Sequence, residues 1–216
     1  MTPIKFAAPD FAELAENLDC RLEFDETAAS RPAATLPAAR RLTRKPARRF
    51  MDLREHADAA RRLLTPLPKS GESVHVITSG EFVLAAVVPA MLDALGPCSL
   101  CVSSLGTNQQ TASMFADLLR EGRLTRLDMV LSHYFSKADR ETCDLVCQII
   151  REAGGRIAVT RSHTKLALFE PQSRQDRYCF EGSGNLRSSQ NAEQLTISND
   201  DQLFKFYHTW FNEMFK

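Results

Sequence analysis

Between residues 162 and 193 the chain gathers side chains that can carry nucleophilic and acid–base chemistry. His163 and Lys165 stand two positions apart at the predicted start of a strand, so their side chains project to the same face. The tetrapeptide Gly182-Ser183-Gly184-Asn185 follows a predicted hairpin, and Glu193 leads into the next predicted strand. An imidazole, an ammonium group, neutral hydrogen-bond donors and a carboxylate together suit the cleavage of an anionic ester.

A phosphodiester resists nucleophiles because it is itself an anion. Its cleavage needs a nucleophile, positive charge or donors around the non-bridging oxygens, and an acid for the leaving oxygen. The imidazole of His163 can attack phosphorus when neutral and protonate an alkoxide when charged. Lys165 offers a cation, and Ser183 and Asn185 offer neutral donors to the same oxygens.

Other members of the cluster fit the same chemistry. Gly182 and Gly184 flank Ser183 and permit close approach of the backbone. Glu193 can accept a hydrogen bond from the far nitrogen of the His163 ring and fix its tautomer, as the orienting third group of a triad does. The scheme requires no metal ion, and the sequence has no convincing cluster of carboxylates and histidines to bind one.

The segments SHTKLALFE, EGSGN and NAEQLTIS resemble, in this order, one half-site of the phospholipase D superfamily, which is known for the motifs H-x-K-x4-D and G-S-x-N. The resemblance extends to the order of strands and helices from about residue 73 to 216. It implies a phospholipase D-like α/β fold and a metal-independent phosphodiesterase, a nuclease, which forms a phosphohistidine intermediate and uses no cofactor. The one departure is Glu170, which stands where the family has a structural aspartate, so it bears on fine geometry more than on chemistry. The catalytic residues implied are His163, Lys165, Ser183, Asn185 and Glu193, with Glu170, Gly182 and Gly184 in support.

This mechanism needs two histidines, one as nucleophile and one as acid, yet the chain has a single H-x-K motif. A lysine follows His133 at the wrong spacing, and His56, His75 and His208 have no lysine two residues on. Single-motif members of the superfamily form a homodimer with the site at the twofold interface, where identical residues face each other. We therefore expect a homodimer in which His163 of one subunit attacks and His163 of the other protonates the leaving group.

Alternating periodicities predict the elements that must position these residues. A helix is expected at about 50–65, and beyond Gly71 short β-branched runs alternate with helical stretches. Strands are predicted at 73–80, 98–106, 124–135 and 156–162, helices at 81–95, 111–122 and 137–155, then a hairpin of 165–171 and 177–183, a strand at 194–199 and a helix at 201–215. Strands separated by such helices predict right-handed crossovers and a mixed, largely parallel sheet flanked by helices.

Two predicted strand ends offer further candidates for the site. The segment SSLGTN lies at the carboxyl end of a strand, where sites of α/β proteins gather, so Ser104, Thr107 and Asn108 either line the cleft or form a plain loop with a helix cap. Tyr134 and Phe135 end the neighbouring predicted strand and either stack on a base or pack in the core.

Residues 1–70 are predicted to form an N-terminal extension, partly irregular, before a phospholipase D-like domain at 71–216. Its first 30 residues hold seven acidic and two basic side chains, whereas 31–62 hold ten basic side chains among several prolines. The basic segment is either a solvated linker or an arm that binds nucleic acid by releasing counterions from its backbone. The candidate nucleic-acid contacts are Arg40, Arg41, Arg44, Lys45, Arg48 and Arg49.

The overall composition is that of an ordinary globular protein. Of 216 residues, 44% are hydrophobic and 25% charged, with 27 basic residues against 27 acidic ones, which excludes a wholly disordered or collagen-like chain. No apolar run approaches the roughly 18 residues of a transmembrane helix, and the start lacks the pattern of a secretory signal, so we expect a cytoplasmic protein that does not bind membranes. The pair Cys98-x-x-Cys101 is predicted to be two buried structural thiols on opposite faces of a strand, rather than a zinc or redox site.

These observations favour a nuclease of the phospholipase D type whose substrate is nucleic acid. A second hypothesis is a catalytically silent protein that keeps the fold for nucleic-acid binding or assembly. A third, a lipid phosphodiesterase, would require a membrane-facing apolar surface, for which the aromatic C-terminal helix is the one candidate.

Overall fold

The computed structural model describes residues 53–78, 84–187 and 191–216. The helices are α1 (Leu53–Leu64), α2 (Leu84–Leu95), α3 (Gln109–Arg120), α4 (His133–Ala138), α5 (Arg140–Glu152) and α6 (Asp201–Glu213). The strands are β1 (Ser73–Thr78), β2 (Cys98–Ser104), β3 (Leu124–Ser132), β4 (Ile157–Thr160), β5 (Leu166–Pro171), β6 (Tyr178–Gly182) and β7 (Glu193–Asn199). The predicted nucleic-acid contacts Arg40, Arg41, Arg44, Lys45, Arg48 and Arg49 lie outside the described residues.

The strands form a single sheet in the order β1-β7-β6-β5-β2-β3-β4. The pairs β2–β3 and β3–β4 are parallel, whereas the pairs that connect β1, β7, β6, β5 and β2 are antiparallel. The predicted α/β class, with a mixed sheet flanked by helices, is confirmed. The expected predominance of parallel pairing is wrong, because the hairpin β5–β6 and the strand β7 insert between β1 and β2 and pair antiparallel to both neighbours.

The predicted strand 124–135 is three residues too long. β3 ends at Ser132, whose hydroxyl accepts a hydrogen bond of 3.1 Å from the backbone N–H of Tyr134 and so caps α4. In this helical turn Phe135 points into the core, while Tyr134 remains 65% exposed. A serine that ends a strand can equally begin a helix, and the β-rich pattern before it gives no sign of the change.

The two faces of the sheet are covered unequally. Side chains of α1, α2, α3 and α5 form one large core with the face that carries Leu100 and Phe169. In the described part of the chain, a smaller cluster covers the other face, where Phe204 of α6 packs on Leu168 and Cys179. None of the described helices is long and apolar enough to cross a bilayer.

One edge of the sheet collects the segments that carry the predicted site. The register pairs Ser103, near the end of β2, with Leu166 at the start of β5, and Leu166 with Glu181 near the end of β6. Gly182 pairs in turn with Leu195, near the start of β7. The ends of β2 and β6 and the starts of β5 and β7 therefore lie side by side, along with the ends of β3 and β4, and we call this the site edge.

Candidate active site

The H-x-K segment is a crossing connection tied to the end of β2. After β4 ends at Thr160, the chain passes the ends of β3 and β2 before it enters β5. The buried hydroxyl of Ser103 lies 2.6 Å from Oγ1 of Thr164 and 3.3 Å from its carbonyl oxygen, and Oγ1 lies 2.7 Å from the hydroxyl of Ser162. These hydrogen bonds hold the residue between His163 and Lys165 against the sheet.

His163 and Lys165 lie directly against each other at the site edge. Nζ of Lys165 is 2.9 Å from Nδ1 and 3.3 Å from Nε2 of the His163 ring, and it donates to the His163 carbonyl oxygen at 2.9 Å. The imidazole is exposed and the lysine half-buried. A ring nitrogen that accepts a hydrogen bond from an ammonium group carries a lone pair, which is the form of imidazole that can attack phosphorus.

The environment of Lys165 shifts its titration. Burial lowers the pKa of the Lys165 ammonium group below its ordinary value, and the negative charge of Glu193 opposes part of that shift. The shift means that this cation loses its proton at a lower pH than an exposed lysine does.

Ser183 and Glu193 form a pair across β6 and β7. The Ser183 hydroxyl donates to Oε2 of Glu193 and accepts from the backbone N–H of Gln194 at 3.0 Å, while the Ser183 N–H donates to the Gln194 carbonyl at 2.9 Å. The sequence predicted that Glu193 would accept a hydrogen bond from the His163 ring. In the structure Oε2 of Glu193 accepts from Ser183, which directly follows β6, the strand between β5 and β7.

The two glycines of the tetrapeptide differ in their surroundings. A Cβ built on Gly182 would overlap the carbonyl oxygen of Gln194 and lie 3.0 Å from the Cα of Leu195, so only glycine fits this approach of β6 to β7. A Cβ on Gly184 would meet nothing nearer than Cγ of Glu193 at 3.8 Å, an ordinary contact. The close backbone approach predicted for both glycines is therefore present at Gly182 alone.

Asn185 connects the tetrapeptide to the loop after β2. Its Oδ1 accepts from the backbone N–H of Leu105 at 3.3 Å, which leaves Nδ2 as the group suited to donate to a bound anion. The next residue is fixed as well: the N–H of Leu186 donates to the buried hydroxyl of Ser104 at 3.1 Å, and its carbonyl accepts from Oγ1 of Thr111 at 2.9 Å.

The loop residues offered as alternatives for cleft lining have other positions. Ser104 and Thr107 are buried, and Ser104 donates to the Gly106 carbonyl at 2.8 Å. Asn108 is the N-cap of α3, where its Oδ1 accepts from the N–H of Thr111 at 2.8 Å. The reading as a plain loop with a helix cap is therefore the one that the structure bears out.

Beside Lys165 a groove of about 980 Å³ runs between the site edge and α6. Its floor includes Glu181 and Gln194 of the sheet, and its far wall carries Phe206 and Trp210 of the helix. The groove therefore provides open space directly next to the lysine.

Glu170 is not part of this arrangement. It lies near the other end of β5, where its Oε1 accepts from Nε of Arg177 at 2.9 Å, and Arg177 also bonds Asp201 at 2.9 Å. These ion pairs join the β5–β6 hairpin to the start of α6. The supporting role implied by the resemblance therefore concerns packing of elements and not contact with the other site residues.

The cysteines in the described ranges are buried or half-buried and unpaired. Cys98 belongs to the large core and Cys101 to the cluster under α6, which places them on opposite faces of β2 as predicted. Burial raises the pKa of the Cys98, Cys101 and Cys179 thiols to about 12. Among the described residues no group of three histidine, cysteine or acidic side chains is placed to hold a metal ion.

Sequence reasoning missed the tether made by Ser103 and Thr164. Both are common polar residues, and their types alone predict no contact. They meet because the register of the sheet places the end of β2 beside the start of β5. That pairing of non-consecutive strands is not visible in a local pattern.

Comparison with known proteins gives structural matches only. No protein-family model matches the chain, and no curated protein does. The structure is similar to Nuc from Salmonella typhimurium, a phospholipase D family member, at 12% identity over 67% of this chain and 95% of that one, with a TM-score of 0.48. It is also similar to polyphosphate kinase from Porphyromonas gingivalis, at 12% identity over 66% of this chain and 26% of that one, TM-score 0.49. A mutant of yeast tyrosyl-DNA phosphodiesterase 1 matches at 13% identity over 59% of this chain and 32% of that one, TM-score 0.35.

Proposed function

We propose that the chain is a metal-independent phosphodiesterase of the phospholipase D type, a nuclease, which works through a phosphohistidine intermediate at a homodimer interface. The observation that carries the proposal is the contact of the Lys165 ammonium group with the His163 ring, 2.9 Å from Nδ1, at the edge where Asn185 and the Ser183–Glu193 pair also lie. The nucleophile, the cation and the neutral donor Asn185 thus lie at neighbouring strand ends. The Ser183 hydroxyl, which the sequence suggested as a second donor to the phosphate oxygens, donates to Glu193 instead.

The reaction proceeds in two displacements at phosphorus. In the first, an unprotonated ring nitrogen of His163 attacks, a P–N bond forms, the P–O bond to the leaving alcohol breaks, and the second subunit's imidazolium gives its proton to that oxygen. In the second, the imidazole of the second subunit, now neutral, takes a proton from water. The resulting hydroxide attacks phosphorus, and the P–N bond to the attacking His163 breaks. One water is consumed, and one phosphomonoester and one alcohol are released.

The other side chains stabilise the charge that develops on the non-bridging oxygens. Lys165 offers an ammonium group, half-buried so that its field is less screened by water than that of a surface lysine. Nδ2 of Asn185 offers a neutral donor from a loop that is fixed by the hydrogen bond to Leu105. Glu193 fixes the rotamer of Ser183 by accepting the hydrogen bond that its hydroxyl donates, so the hydroxyl is held in one orientation.

The surroundings of His75, His133 and His208 support the proposal that the acid comes from a second subunit. Nδ1 of His75 lies 3.0 Å from Oγ1 of Thr196 in the neighbouring strand β7. Nδ1 of His133 lies 3.5 Å from the Ser136 hydroxyl within α4, and the His208 ring stacks on Phe204 within α6. Each of these described histidines is thus engaged with its own neighbours. A second His163, brought by a twofold axis through the site edge, supplies the missing acid.

The choice of nucleic acid as substrate is supported by charge. The basic segment around residues 40–49 carries six arginine and lysine side chains that suit a phosphate backbone.

The test is a nuclease assay in EDTA that compares the wild type, His163→Ala and the control His75→Ala. We expect His163→Ala to lose cleavage by at least about a thousandfold, as removal of a nucleophile does, and His75→Ala to retain it. Sedimentation of the purified wild type should give a dimer. Equal cleavage by the wild type and His163→Ala would reject the mechanism, and retention of DNA by both without any cleavage would favour the catalytically silent binding protein.

A further inference from the structure

A row of side chains continues the site edge beyond His163. β3 and β4 end together, since the register pairs Ser132 with Thr160. Arg161 directly follows β4 and stands two residues before His163 on the same crossing segment, while His133 and Tyr134 directly follow β3. We call His133, Tyr134, Lys137 and Arg161 the rim.

The aromatic residue of the rim faces water. α4 sends Phe135 into the core, where its ring lies against the Cα of Gly106, and leaves Tyr134 65% exposed. Exposure of this size leaves the tyrosine with a ring face available to a ligand, beside a site for which an anionic substrate is proposed. A phenol ring in such a position can stack on a nucleobase.

The cations of the rim are not neutralised by neighbouring acids. In the described ranges Lys137 and Arg161 form no ion pair, whereas exposed arginines elsewhere do, as Arg120 does with Asp117 at 2.8 Å. The nearest acid along the chain, Asp139, is used to cap α5, where its Oδ1 accepts from the N–H of Thr142 at 3.1 Å. The rim therefore carries two cations that form no ion pair in the described ranges, and one of them, Arg161, stands two residues from His163 along the chain.

From this juxtaposition we propose that the rim binds a single-stranded polynucleotide beside the scissile phosphate, with Lys137 and Arg161 on phosphates and Tyr134 stacked on an unpaired base. The inference rests on the proposed function for the identity of the reaction, and it adds the path of the strand and the preference for unpaired bases. Charge complementarity selects a polyanion, and an exposed ring selects a base that is not already stacked in a duplex.

Binding is measured by fluorescence anisotropy of a labelled single-stranded oligonucleotide in EDTA, on the full chain carrying His163→Ala so that no turnover interferes. Added to that background, Lys137→Gln and Arg161→Gln should each reduce the slope of log K against log salt by about 0.7, the value for one phosphate contact of a single strand. Tyr134→Ala should weaken binding about tenfold or more, whereas Tyr134→Phe should not, because the stacking ring remains. The matched control is Arg174→Gln, an exposed arginine in the β5–β6 hairpin at the opposite edge, which should leave slope and affinity unchanged.

Two outcomes would overturn the rim proposal: salt slopes for Lys137→Gln and Arg161→Gln equal to that of Arg174→Gln, or equal affinity for Tyr134→Ala and Tyr134→Phe. Its failure is distinguishable from failure of the proposed function by hydrolysis of bis(p-nitrophenyl) phosphate, a diester too small to reach the rim. With His163 restored, the control Arg174→Gln should hydrolyse this diester as the wild type does. Absence of hydrolysis in the wild type would remove the proposed function while the binding experiment still decides the rim.

Discussion

The contrast between Gly182 and Gly184 gives a prediction with a built-in control. Both glycines belong to the tetrapeptide at the site edge, and both would gain a single methyl group on substitution by alanine. At Gly182 that methyl group would overlap the Gln194 carbonyl oxygen and lie 3.0 Å from the Cα of Leu195, which are backbone atoms of β7 and cannot rotate away. At Gly184 the nearest atom is the flexible Glu193 side chain at 3.8 Å.

The magnitudes follow from these distances. An ordinary carbon contact is 3.5–4.0 Å, so β6 and β7 must separate by roughly half an ångström or more to accept alanine at Gly182. Overpacking of this kind costs about 1–3 kcal/mol of the free energy of unfolding. Because Ser183 and Glu193 bond across the same two strands, the separation also displaces the site, and a displacement of about 1 Å can lower a reaction rate on the order of a hundredfold.

The measurement is urea unfolding of the wild type, Gly182→Ala and Gly184→Ala, each as the full chain. We expect Gly182→Ala to shift the midpoint to lower urea with an unchanged slope, and Gly184→Ala to change the free energy of unfolding by less than about 0.5 kcal/mol. Equal stability of the two variants would refute the reasoning, since it would mean that β6 and β7 tolerate a side chain at Gly182.

Three further predictions concern charge and assembly. If two subunits share one site, mixing equal amounts of wild type and His163→Ala as random dimers should leave about a quarter of full activity, whereas independent subunits would leave about half. Activity should begin to fall at a pH below the ordinary pKa of lysine, because burial lowers the pKa of Lys165 and the proposed reaction needs its proton. In the pH profile of Lys165→Arg this alkaline decrease should be absent. Asp128→Ala should cost about 1.5–3 kcal/mol in urea unfolding at neutral pH, because its side chain accepts from Nε of Arg156 at 2.8 Å. Burial alone would raise the pKa of Asp128, but the hydrogen bonds from the arginines hold it below its ordinary value. The stability that these bonds contribute is therefore present above about pH 4 and is lost as the pH falls through the lowered pKa. Parallel acid-unfolding profiles of the wild type and Asp128→Ala would contradict this.

Periodicity alone was enough to predict most elements of this fold. The helix α5 carries an apolar stripe with polar residues opposite. Val146 and Ile150 of this stripe are buried, whereas Leu145 is exposed. The α4 turn was not predictable in this way, since Ser132 caps it after a run of strand-forming residues. A helix of six residues is too short to show a periodic pattern.

Strand pairing was the larger gap between sequence and structure. Local patterns predict that 165–171 and 177–183 form a hairpin, and they do, but no pattern states that the hairpin inserts between β1 and β2. Contacts that depend on this insertion, such as that of Ser103 with Thr164, were accordingly missed. The bond of Glu193 with Ser183 was not predicted for the same reason, because the position of β6 between β5 and β7 brings Ser183 to the carboxylate.

Lys165 and Glu170 belong to one predicted motif but lie at opposite ends of β5. β5 carries Lys165 just before its start and Glu170 near its end, and five residues of extended chain separate them by on the order of 16 Å. At that distance the carboxylate contacts Arg177 and, through it, Asp201 at the start of α6, and has no part in the chemistry at phosphorus. Yet α6 forms the far wall of the groove beside Lys165, so a change at Glu170 reaches the site through the placement of this helix. We therefore expect the glutamate in place of aspartate to affect the groove through the position of α6, whereas the H-x-K segment is held at the other end of the strand by the tether to β2.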